Sequence, residues 1–127
     1  MDFSLTDDQQ LLRDTARRLL ERECPPALVR AHIDEPAAHA PLWAHLREYT
    51  ALGAGPATDL CLFLEETGFA AAPGPFLATA LFTALTGEDT TGTVAIAGAD
   101  GHWAPNRDAV KTFVLPSACV STRPCTR

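Results

Sequence analysis

The chain has 127 residues, 46% hydrophobic and 20% charged, which is enough for an apolar core of ordinary size and too apolar for a disordered segment. Its formal net charge of −6, with no Lys/Arg stripe interleaved with aromatics, excludes a nucleic-acid backbone as partner. The opening MDFSLTDDQQ is acidic rather than basic-then-apolar, and the longest apolar run, Phe69 to Leu85, is cut by Pro73, Gly74 and Pro75, so a cytoplasmic protein with no membrane partner is expected.

In chain order, Thr6 and Gln9 have capping-box spacing, and Asp7 and Asp8 sit where a helix dipole favours negative charge, so a first helix begins at about Asp7. Leu12, Ala16, Leu19 and Leu20 form its apolar stripe, and the Pro25–Pro26 pair ends it. Ala27 to Ile33 adds one or two turns before a connection at Asp34, Glu35 and Pro36. Leu42, Trp43, Leu46 and Tyr49 mark a helix that starts through Pro41 and closes near Gly53. Asp59 to Thr67 is apolar on nearly all sides and predicts a central helix capped by Gly68. Pro73 and Pro75 then start a helix through Phe76, Leu77, Leu81, Phe82 and Leu85 to Gly87.

From Glu88 the pattern changes to Gly, Thr and Asp clusters with β-branched runs, predicting strands at Thr93 to Ala97 and Val110 to Leu115 and a tight turn in GADGHW. The fold class expected is mainly α, a helical domain over residues 1–87 followed by an incomplete β segment over 88–118, with 119–127 unassigned. We expect the helices to form one antiparallel cluster burying Leu12, Leu19, Leu46, Leu60, Phe63, Leu64, Leu77 and Leu81, with Trp43, Phe76 and Phe82 also in the core.

Residues with chemical potential are scattered. Cys24, Cys61, Cys119 and Cys125 form no CxxC pair and have no His at ligand spacing, so no metal site is expected and Cys61 reads as a buried thiol. Glu65 and Glu66 are adjacent on a helix and point about 100° apart, which suits solvated helix-end carboxylates and not a shared-proton dyad. Ser4, Ser117 and Ser121 lack a His/Asp partner or a GxSxG elbow, and His32, His39, His45 and His102 read as surface or boundary residues. No catalytic residue is assigned.

Four segments, MDFSLTDDQQLLRDTARRLLER, LWAHLREYTALG, DLCLFLEETGFAAAPGPFLATALF and AVKTFVLPSA, together resemble, in order and character, the start of flavin-dependent acyl-CoA dehydrogenases. The APGPFLATAL stretch after LEETG particularly resembles actinobacterial members acting on steroid side chains and other bulky acyl-CoA esters. The resemblance implies a helical N-terminal domain, a β-domain packing FAD, and a C-terminal helical domain with the catalytic carboxylate. It also implies α,β-dehydrogenation of an acyl-CoA thioester, by loss of an α-proton to a base and of a β-hydride to the flavin, in a homo- or hetero-oligomeric enzyme.

Departures from the family pattern are specific. Gly53 to Pro56 is shorter than the family's Gly/Pro-rich connection, and Ala97, Gly98, Ala99 and Asp100 stand where the family has a Thr-Glu-Pro-Gly flavin loop. On the resemblance, Lys111 opens the strand against the flavin, Phe113 takes the position of the aromatic beside the isoalloxazine, and Leu115 replaces a hydroxyl residue; Phe113 and Leu115 are the cofactor-binding candidates. Leucine has no hydrogen-bond donor for a ring nitrogen. The expectation is therefore a fragment or degenerate subunit that lacks the catalytic base and does not retain FAD alone. The alternatives are a non-catalytic helical interaction module and an inactive truncated gene product.

Overall fold

A computed structural model describes residues 4–98, 101–110, 112–115 and 119–121. The chain is mainly helical, with α1 (Asp7–Glu23), α2 (Pro26–Asp34), α3 (Ala40–Leu46), α4 (Ala57–Phe69) and α5 (Phe76–Thr86). Short 3-10 segments precede and follow α3, at Pro36–His39 and Arg47–Ala54. Among the described residues, no helix is long and apolar enough to cross a membrane. Packing divides the chain into two compact units, each made of two stretches: residues 1–45 with 56–73, and 46–55 with 74–127. Within the second unit, α5 packs against β1 (Gly92–Val94), across the position 87/88 where the helical and β segments are expected to meet.

In the first unit, α1 begins as its sequence dictates: the Gln9 amide donates to the Thr6 hydroxyl oxygen at 3.2 Å, and the Thr6 amide donates back to Gln9 Oε1 at 3.2 Å. Its stripe buries Ala16 and Leu20, and α1 packs against α4, whose Leu62 and Phe63 are buried; Leu12 and Leu19 are half-buried. Partners rise together along both helices, Gln9 with Asp59, Arg17 with Glu66 and Cys24 with Ala70, so α1 and α4 run in the same direction. The antiparallel cluster expected from sequence is thus corrected for this pair, because the long stretch between them carries the chain back to the level where α1 began. Helix α4 is also not central, being buried on one face only: Cys61 is exposed, not buried as expected, and Phe69 is 82% exposed. Gly68 is not its cap; the helix runs on to Phe69, and Ala71, with φ 50°, makes the left-handed turn that follows.

In the second unit, α5 ends as expected at Gly87, whose φ of 71° is left-handed. Its buried face is Phe76, Ala78, Thr79, Ala80, Phe82 and Thr83, whereas Leu77 and Leu81 are 48% and 43% exposed. The expected burial of these two leucines is corrected by how the threonines are satisfied. Thr79 Oγ1 donates to the Gly92 carbonyl at 3.1 Å and Thr83 Oγ1 to that of Glu88 at 3.2 Å, so the hydroxyl-bearing face can turn inward where the chain returns.

The strand expected at Thr93 to Ala97 is split at Ala95. β1 pairs in parallel with β4 (Thr112–Leu115), while β2 (Ile96–Gly98) forms an antiparallel hairpin with β3 (Gly101–Trp103). The Ala95 amide still donates to the Val114 carbonyl at 2.8 Å, so the chain leaves one sheet for the other just after this bond. Gly98 lies opposite Gly101, in keeping with a tight turn in GADGHW, although Ala99 and Asp100 lie outside the described residues. Part of the unassigned tail, β5 (Cys119–Ser121), pairs antiparallel with β4, giving the order β1-β4-β5.

Candidate functional site

Phe113 stands on β4, the middle strand of its sheet, with Thr93 and Ser121 as register partners, and it is half-buried. Leu115 is opposite Cys119; its side chain lies outside the described residues, as do Lys111 and Ser117. Phe113 offers a ring face, and Leu115 has no donor for a flavin's polar edge, so these two residues alone do not make a flavin site.

A more developed constellation lies along the α1–α4 seam. Gln9 Nε2 donates to Asp59 Oδ1 at 3.1 Å near its start. Two turns on, the Arg17 guanidinium grips Glu66 with two bonds, Nε to Oε2 at 2.9 Å and Nη2 to Oε1 at 2.7 Å. The Glu66 side chain is only 1% exposed, whereas that of Arg17 is 49% exposed. The sequence expectation of a solvated Glu66 is therefore corrected. Glu66 shares the helix face of Leu62 and Phe63, and burying it there requires a cation, which Arg17 supplies. That hydrogen bond, and then the charge of Glu66, raise the Arg17 pKa further above its ordinary value.

At the C-terminal end of the seam, the buried Cys24 thiol donates to the Ala70 carbonyl at 3.7 Å, and burial raises its pKa. A raised pKa keeps it a thiol and not a thiolate, which suits packing better than nucleophilic chemistry. The Arg17 guanidinium carbon lies 5.9 Å from the centroid of the Phe69 ring. Between these groups opens a cleft of about 370 Å³, lined by Leu20, Cys24, Pro25, Pro26, Phe69 and Ala70, with Arg17, Glu21 and Glu66 as its charged groups.

Other candidates remain apart. Cys61 is a free thiol on the exposed side of α4. His39 Nδ1 is 2.7 Å from the Pro36 carbonyl, its ring meets that of His32 edge-on at 5.1 Å, and His45 Nε2 lies 3.6 Å from Glu23 Oε2. Among the described residues, no three or more His, Cys, Asp or Glu side chains are grouped to hold a metal ion. The cleft was not legible in the sequence: Arg17 falls outside the apolar stripe of α1, Glu66 reads as a solvated carboxylate, and nothing in the spacing says that they meet. No family model, curated protein or solved structure matches the chain.

Proposed function

We propose that the chain is a fragment or degenerate subunit of a cytoplasmic, FAD-dependent acyl-CoA dehydrogenase, inactive by itself in α,β-dehydrogenation of an acyl-CoA thioester. The observation that supports this reading is the order of its elements. The four family-like segments fall on α1, on α3 with the 3-10 segment after it, on α4 and α5, and on β4. The reading assigns FAD, acyl-CoA and any catalytic base to residues beyond this chain or to a partner subunit. Within it, Phe113 and Leu115 are one side of a flavin wall that other residues complete.

A second reading, a non-catalytic helical interaction module, draws on apolar surface in the second unit. Leu77, Leu81 and Leu85 of α5, one helical turn apart, are 48%, 43% and 64% exposed, and the cross-strand pair Ile96 and Trp103 is 53% and 64% exposed. Sequencing the DNA beyond codon 127 in all three frames, together with the adjoining genes, separates the two. The dehydrogenase reading predicts the remaining β-domain and a helical domain with a carboxylate base in another frame, or a neighbouring gene for a complete dehydrogenase subunit. Absence of both would overturn it.

A further inference from the structure

We propose that the cleft at the C-terminal end of the α1–α4 seam is a binding site for a small uncharged ring compound that carries a carbonyl acceptor. The inference does not depend on the flavoenzyme reading: it uses residues of α1 and α4, of the turns that follow them and of the start of α2, and neither Phe113 nor Leu115.

Size comes first. A dry apolar cavity of about 150 Å³ is large enough for benzene, so a cleft of about 370 Å³ has room for one substituted ring. Its walls suit a flat apolar group. Pro25 and Pro26 give one side with little conformational freedom to lose, and Phe69, 82% exposed at the end of α4, gives an aromatic ring that the fold leaves largely open, with the Arg17 guanidinium 5.9 Å from its centroid.

Charge decides the substituent. Glu66 engages Nε and Nη2 of Arg17, and among the described residues no hydrogen bond is made by Nη1, on a side chain 49% exposed. Guanidinium nitrogens are donors only, so the group that completes Arg17 is an acceptor. A carboxylate ligand would meet Glu66 and Glu21 in the same cleft, where two acidic groups already outnumber one cation. A neutral carbonyl accepts from Nη1 without that repulsion and without asking Glu66 to leave.

The test is a ¹H–¹⁵N NMR titration of the full chain with acetophenone, with ethylbenzene and benzoate as comparison probes. For a molecule of so few atoms, saturation in the millimolar range is expected. The proposal expects saturable shifts centred on the amides of Leu20, Glu21, Cys24, Phe69 and Ala70, at least threefold weaker binding of both ethylbenzene and benzoate, and at least threefold weaker acetophenone binding to Phe69→Ala. Phe69 is a surface residue, so this variant keeps the fold, which its spectrum reports directly. Shifts that fail to saturate, that centre elsewhere, or that are unchanged in Phe69→Ala would overturn the site; benzoate binding as tightly as acetophenone would overturn the ligand class.

Discussion

At the scale of single residues, the two ends of the Arg17–Glu66 bond are unequal. Glu66 is 1% exposed, whereas Arg17 is 49% exposed and regains solvent when released. Removing the partner of a buried charge costs about 3 to 5 kcal/mol, chiefly because the remaining charge stays desolvated. Arg17→Ala, which strands the carboxylate, is therefore expected to lower the urea midpoint more than Glu66→Gln, which leaves a neutral amide inside and a solvated guanidinium outside. Equal midpoints, or a larger loss for Glu66→Gln, would mean that the carboxylate is not held as described. Neither charge stands out in the sequence, where Arg17 lies outside the apolar stripe of α1 and Glu66 reads as a solvated helix-end carboxylate. That they meet depends on α1 and α4 running parallel, a tertiary fact that periodicity within one helix does not encode.

At the scale of elements, glycines separate what local grammar reveals from what packing imposes. Gly87 follows the last apolar residues of α5 and takes the left-handed cap its position predicts. Gly68 has the same sequence signature after α4 and is helical instead, with open space where a Cβ would go. Gly53 reads as a helix stop, but its constraint is steric: a Cβ built there would overlap the Ala80 carbonyl oxygen of α5. Gly68→Ala is thus expected to stabilise the chain by about 0.5 to 1 kcal/mol through helix propensity and lost unfolded-state freedom. Gly53→Ala is expected to destabilise it by about 1 to 3 kcal/mol or more through overpacking. Thermal melts of the two variants check both signs, and a destabilising Gly68→Ala would restore that residue as the cap. Helix starts and composition-driven strands were legible because they follow from caps and β-branched runs. The split at Ala95 and the inward face of α5 were not, because they are decided by the Val114 carbonyl and by Thr79 and Thr83 finding backbone acceptors where the chain returns past the end of α5.

At the scale of the whole molecule, the described β segment offers one side of a cofactor pocket and no enclosing walls. In the proposed reading β4, flanked by β1 and β5, is the strand set against a flavin, and its candidate contacts are one half-buried ring and a leucine. A cofactor of that size is ordinarily buried over most of its surface and fixed by several placed donors. An acyl-CoA dehydrogenation assay of the purified chain with added FAD and an artificial electron acceptor is accordingly expected to give no turnover, since no base for α-proton removal is assigned to it. The most direct measurement is a fluorescence titration of the chain with FAD, repeated with Phe113→Ala. The account predicts no saturable change for either protein; micromolar binding that Phe113→Ala abolishes would contradict it and make this chain a flavin-binding protein in its own right.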